Sequence, residues 1–164
     1  MRRSDREIKD FDDIVGIIKK CDVCRLALNG DDGYPYILPL NFGFTVSEDK
    51  ADSGQIILYF HGAPEGRKYE LIRKDNRASF EMDCSHRLVT DKAAGNCTME
   101  YESVIGRGEI TIIDNWADKI RALDILIAHY PVDKDFKYNI AVVERTTAMK
   151  LTVSDYTAKR RMKR

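Results

Sequence analysis

Ile56 to Lys68 reads IILYFHGAPEGRK, an apolar strand that ends in a turn and delivers two adjacent cations to the start of a helix. Ile56, Leu58 and Phe60 alternate with Ile57, Tyr59 and His61, the period-two pattern of an extended segment with two unlike faces. His61 falls at the strand's end. Gly62, Pro64 and Gly66 break the strand, and Glu65 to Lys74 has helical composition. The first backbone N–H groups of that helix, near Gly66 and Arg67, therefore face outward without a capping side chain. Such a helix start attracts anions. Arg67 adds a two-pronged guanidinium and Lys68 a point charge, which suits a phosphate. The plainer reading is a strand-turn-helix joint with two solvated bases.

On either side of this stretch the chain is mostly extended. Ser4 and Asp5 can cap a helix whose apolar positions, Ile8, Phe11, Ile14, Val15 and Ile18, recur at helical spacing to about Lys20. Val23 to Asn29 and Tyr34 to Phe44 read as a hairpin about the turn Gly30, Asp31, Asp32, Gly33. In its second strand Tyr36, Leu38, Leu40, Phe42 and Phe44 share one face, and Ile37, Pro39, Asn41 and Gly43 the other. Pro39 and Gly43 suit an edge, a bulge or a surface where a ligand lies close to the main chain. Ser47 to Gly54 reads as a mobile polar loop. Ala78, Phe80 and Met82 mark another strand, Cys84 to Asn96 loses periodicity, and Met99 to Ile113 is extended with bulges expected at Gly106 and Gly108. Trp116 to Tyr130 returns to helical period and stops at Pro131. Ile140 to Val143 and Met149, Leu151 and Val153 supply the last strands. This pattern predicts a closed or partly closed antiparallel barrel with peripheral helices, one domain over 1–157, and a frayed basic tail over 158–164 that includes Lys159, Arg160, Arg161, Lys163 and Arg164.

Composition narrows the function classes. Lys plus Arg and Asp plus Glu number 27 each in 164 residues, so no net field favours nucleic acid or a membrane surface. No apolar run reaches the roughly 20 residues of a membrane helix, and the charged start from Arg2 to Glu7 points to a cytoplasmic protein. The four cysteines read as thiols in a reducing compartment. Cys21 and Cys24 match a redox or zinc spacing, but Cys84, His86 and Cys97 supply no second tight pair. A helix-to-strand junction with partly buried thiols is preferred, and no metal is expected. Of the three histidines only His61 adjoins the phosphate-like turn, while His86 and His129 read as plain surface or core residues. Hydrolase and P-loop signatures are absent.

With these residues in view, the chain resembles the flavin-binding split-barrel proteins related to pyridoxamine 5'-phosphate oxidase, and among them the 5-nitroimidazole reductase group of nitroimidazole-resistance proteins. The likeness rests on MRRSDREI at Met1 to Ile8, YILPLNFGF at Tyr36 to Phe44, YFHGAPEGRK at Tyr59 to Lys68 and YESVIGRG at Tyr101 to Gly108. It implies a six-stranded antiparallel split barrel and a homodimer with FMN bound non-covalently at the subunit interface. In that reading Arg67 and Lys68 hold the phosphate, Ile37, Leu38, Pro39, Asn41, Tyr59, Phe60, His61 and Ser103 lie near the flavin, and His61 polarises or protonates the substrate. The implied chemistry takes electrons from a reduced nicotinamide, NAD(P)H, to a small acceptor such as a nitroaromatic. Alternatives are a haem- or flavin-binding protein without turnover, with His61 as a possible axial ligand, and pyridoxamine phosphate oxidation. The last is disfavoured because Ser154, Asp155 and Tyr156 lead straight into the basic tail, where that enzyme carries a Trp and an Arg-Leu-x-Pro pattern. A plain interaction domain would hold no cofactor.

Overall fold

A computed structural model describes residues 3–47, 54–133 and 135–162. A 3-10 turn at Ser4–Arg6 leads into strand β1 (Glu7–Ile8), helix α1 (Phe11–Lys20) and strands β2 (Cys24–Leu28), β3 (Tyr36–Leu40), β4 (Phe42–Val46) and β5 (Ile56–Gly62). Helix α2 (Arg67–Lys74) precedes two long strands, β6 (Arg77–Asp91) and β7 (Asn96–Ile113). Helices α3 (Trp116–Ala128) and α4 (Ile140–Glu144) precede β8 (Thr147–Arg161).

The strands form one sheet in the order β3-β2-β6-β7-β8-β5-β4, with β1 added to β8, and the pairings are antiparallel. Its two outermost strands, β3 and β4, are separated in the chain by Asn41 alone. Since adjacent Cα atoms lie only about 3.8 Å apart, the sheet must curl until its edges meet. The result is a barrel split along the β3/β4 seam. The eight hydrogen-bonded strands exceed the expected six for two reasons. The segment Tyr34 to Phe44, read as one strand, breaks at Asn41 into β3 and β4, and the two-residue β1 was read as helix.

Alternation along the strands fills the barrel. Leu26 and Leu28, Ile56, Leu58 and Phe60, Phe80 and Met82, Val104 and Ile110, and Met149 and Leu151 point inward, and Ile14, Ile17 and Ile18 of α1 join the same core. Gly106 is required where Phe80 crosses β7, because a Cβ there would lie 2.5 Å from the Phe80 ring. The β7–β8 register shifts between Arg107 and Gly108, the bulge expected beside those glycines.

Several expectations are corrected. Helix α1 starts at Phe11, because the Asp10 carboxylate accepts the Asp13 N–H at 2.9 Å and supplies the cap, while Glu7 and Ile8 pair with Lys159 and Ala158. The unpatterned segment Cys84 to Asn96 continues β6 and opens β7 as a hairpin arm. Arg87, Leu88 and Thr90 on it are all exposed, so neither face carries the burial that creates alternation. Ile140 to Glu144 is a helix capped by the Asn139 side chain, which accepts the Ala141 N–H at 3.1 Å. Residues 158–161, expected in the tail, finish β8, with Ala158 in the core and Arg160 paired with Glu102. Gly43 serves packing: a Cβ there would lie 2.5 Å from the Ile125 carbonyl oxygen, so α3 occupies the face that a ligand was expected to approach. The loop Ser47 to Gly54 and the terminal Lys163 and Arg164 lie largely or wholly outside the described residues.

Candidate functional site

The end of β5 gathers part of the expected site. His61 lies at the surface opposite Ala148 of β8, and atoms packed about its ring lower its pKa from the ordinary histidine value. In the β4–β5 register Phe42 faces Phe60, so the next residues outward, Asn41 and His61, meet at the seam. Ile37 and Pro39 alternate outward along β3 towards Asn41, and Ile37 is 61% exposed. Leu38 and Phe60 turn inward and pack with the core, leaving only their main chains to a ligand. The Tyr59 ring packs against the Ile113, Ala122 and Ala148 cluster that includes α3, and its hydroxyl lies 3.5 Å from Thr45 Oγ1.

Beside this seam α2 begins at Gly66, whose φ of 135° puts it in the region that favours glycine, and no side chain caps the helix. Lys68 folds back across Gly62. A Cβ on Gly62 would meet Lys68 Cε at 2.9 Å and Nζ at 3.0 Å, so the glycine provides the space the ammonium uses. Lys68 Nζ lies 4.3 Å from the Tyr69 ring centre, and the Tyr69 hydroxyl donates to the Ala63 carbonyl. Burial lowers the Lys68 pKa, and among the described residues no carboxylate forms an ion pair with it.

Arg67 is placed differently. Its Nη2 donates to Asp31 Oδ1 at 2.7 Å and to Asp32 Oδ2 at 3.0 Å, and its guanidinium carbon lies 5.4 Å from the Tyr36 ring centre. These hydrogen bonds raise the Arg67 pKa and lower those of both aspartates. The hairpin turn was legible in the sequence, but its contact with α2 spans some 35 residues and no spacing signal announces it.

Ser103 stands apart. It lies half-buried on β7 opposite Asp83 and Lys159, and Lys159 is eleven residues along β8 from the Ala148 that faces His61. At roughly 3.3 Å per residue the two positions are about 36 Å apart measured along the strand. One chain does not bring Ser103 and His61 to the same ring system. Of the expected residues, Tyr59 lines a cavity of about 380 Å³ with Asp114, Arg121 and Lys150. A cavity of about 550 Å³ among Leu28, Arg77, Arg107 and Thr152 holds none of them.

The remaining motifs have structural roles. Cys21 and Cys24 are buried, and desolvation pushes both thiols up, away from reactive thiolates. His129 lies with Nε2 2.7 Å from the Cys21 carbonyl oxygen and packs on Phe42. His86 sits on the hairpin arm, 2.7 Å from Asp83 Oδ2.

An antiparallel barrel split at one residue, with a helix start placed beside the seam, defines the class of split-barrel proteins. More particularly, residues 10–160 match the family described as pyridoxamine 5'-phosphate oxidase, and the chain belongs to that family. Among solved structures it is similar to a candidate 5-nitroimidazole antibiotic resistance protein from Bacteroides thetaiotaomicron, with 31% identity over 93% of this chain and 85% of that one and a TM-score of 0.76. It shares the fold of the flavocytochrome Anf3 from Azotobacter vinelandii, at 18% identity over 99% and 72% of the two chains and a TM-score of 0.73. It also shares the fold of an FAD and haem binding protein from Mycobacterium smegmatis, at 16% identity over 96% and 74% and a TM-score of 0.76. No curated protein matches the chain. Among the described residues no helix is long and apolar enough to cross a membrane.

Proposed function

We propose that this protein is an FMN-dependent reductase acting in the cytoplasm, passing electrons from NAD(P)H to a small acceptor of the nitroaromatic kind. The observation that carries the reading is Lys68. It is a partly desolvated ammonium without a carboxylate partner among the described residues, lying over a glycine beside the uncapped start of α2. That donor set fits a flavin phosphate, which would bring two negative charges to an ammonium and to free backbone N–H groups. Ile37, Pro39 and Asn41 would support the ring system from the exposed side of β3, and Leu38, Tyr59 and Phe60 would contribute main chain.

When bound, the flavin supplies two-electron chemistry, and the residues around it bind, orient and manage protons. His61, with its pKa below the ordinary value near 6.5, is mainly neutral at pH 7 and can hydrogen-bond the acceptor. Protonated, it is a stronger acid than a free histidine, so a proton it delivers moves readily to a reduced acceptor. The separation of His61 from Ser103 along β8 supports a homodimer in which one protomer contributes the His61 end of the site and its partner contributes Ser103.

An absorbance spectrum of the purified protein followed by anaerobic titration with reduced nicotinamide tests the reading. Flavin bands that bleach on titration are expected, and the combined Arg67→Ala and Lys68→Ala variant should release the flavin. An intense Soret band in place of flavin bands would establish haem, and a colourless protein that ignores added FMN would remove the proposal.

A further inference from the structure

We infer that Arg73 and Lys119 form a second phosphate pocket, between α2 and α3, that receives the diphosphate of the nicotinamide donor, an inference that rests on the reductase reading above for the identity of the ligand.

The cleft is a cavity of about 170 Å³ walled by Arg73 of α2 and Lys119 of α3, with Tyr69, Ile113 and Thr147 also in its lining. Tyr69 and Arg73 are four residues apart on α2 and share one helical face. Because Tyr69 is 2% exposed, that spacing brings Arg73 to the edge of the packed face. Lys119 stands in the opening turn of α3, at the positive end of the helix, where an anion is favoured over a cation. Among the described residues neither cation forms an ion pair. This holds for Asp114, the carboxylate that also lines the cleft, and for Glu70 and Asp118, the acidic residues nearest to them on their own helices. Two cations against one carboxylate leave the cleft positive, and no group of the protein neutralises either cation.

Contacts join the cleft to the site already described. Lys68 Nζ lies 4.3 Å from the centre of the Tyr69 ring, and Thr147 pairs with Gly62, the glycine that Lys68 crosses. The next residue of β8, Ala148, pairs with both His61 and Ile113, so Thr147 is one residue, roughly 3.3 Å along the strand, from the row that carries His61. The cleft also shares Ile112, Ile113 and Asp114 with the cavity of about 380 Å³ that Tyr59 lines. Together they make one groove. Its small end presents a guanidinium and an ammonium, the donors that suit phosphate, and its large end offers an aromatic ring and room for a nucleoside. A lone phosphate would use the small end only, whereas a dinucleotide uses both.

Calorimetric titration with ADP-ribose of the purified full chain, supplied with one equivalent of FMN, tests this on the parent and on the combined Arg73→Ala and Lys119→Ala variant. Both side chains are exposed, so the variant keeps the fold. ADP-ribose carries the donor's diphosphate and no redox group. The parent should bind it, and the variant should bind it at least about tenfold more weakly, the effect of losing charge-assisted contacts to phosphate. In turnover the KM for the reduced nicotinamide dinucleotide should rise by a similar factor with kcat little changed, whereas N-benzyl-dihydronicotinamide, which has no phosphate, should serve both proteins equally. Failure of the parent to bind ADP-ribose, equal binding by the variant, or loss of FMN from the variant, which would give the cleft to the cofactor's own phosphate, would overturn the inference. A chain that takes up no flavin yet binds ADP-ribose through Arg73 and Lys119 would remove the reductase reading and leave the cleft standing as a site for a dinucleotide's phosphates.

Discussion

Glu102 and Arg67 are each held by two groups of opposite charge, yet the two arrangements do opposite things. Glu102 is 1% exposed. Its Oε2 accepts from Lys20 Nζ at 2.6 Å and Ser85 Oγ at 2.9 Å, and its Oε1 accepts from Arg160 Nε at 2.6 Å. It ties the last residue of α1 to β8 and to the bulge at the base of the hairpin arm. Arg67 is bound by Asp31 and Asp32 at the surface, where water competes for every partner. A buried carboxylate must keep its cations or remain charged in a poor solvent, whereas an exposed guanidinium can exchange one anion for another at little cost. The first arrangement belongs to the framework, and the second can be altered by a ligand.

The sharpest way to break this contrast is Glu102→Ala, which removes three hydrogen bonds to a buried carboxylate and leaves a half-exposed Lys20 and an Arg160 still paired with Asp13, and should cost about 2–3 kcal/mol in chemical denaturation. A loss below about 1 kcal/mol would put Glu102 on a level with a surface pair and erase the distinction. Acid titration gives a smaller effect. Burial alone would raise the Glu102 pKa, but hydrogen bonds from Lys20, Arg160 and Ser85 hold it down at about 2. Its stabilisation is therefore fully present above the ordinary glutamate value of 4.5 and is lost as pH falls towards 2. Glu102→Gln should remove the corresponding slope from a plot of unfolding free energy against pH. The smallest effect belongs to Arg67→Ala, which should leave the denaturation midpoint within error of the parent; a clear drop would show that the Asp31, Asp32 and Arg67 contact is part of the framework.

What could be read from the sequence follows the same division between buried and exposed. Ile56, Leu58 and Phe60 gave away β5 because one face of that strand is sealed and the other is not, and the placement of His61 and α2 followed from the turn chemistry between them. The hairpin arm from Cys84 to Asn96 left no trace because Arg87 and Leu88 are both exposed, and a strand without a buried face has no reason to alternate. Ile140 to Val143 is too short for its period to discriminate, and the Asn139 cap decided in favour of a helix. Gly43 looked like room for a ligand, but a glycine gives the same signal when a helix backbone presses on it. The cofactor-side residues on β3 and β5 were legible as faces, whereas the Arg67 contact with Asp31 and Asp32 and the distance from Ser103 to His61 depend on long-range closure of the barrel.

The position of β8 between β5 and β7 bears on how the molecule is made. Of the described strands it leaves the ribosome last, yet it belongs in the interior of the sheet order, so until it arrives both of its neighbours present open backbone edges. During synthesis the nascent chain therefore holds two sticky ladders that only a distant segment can satisfy, which favours slow, late closure and makes premature release of the polypeptide an aggregation hazard.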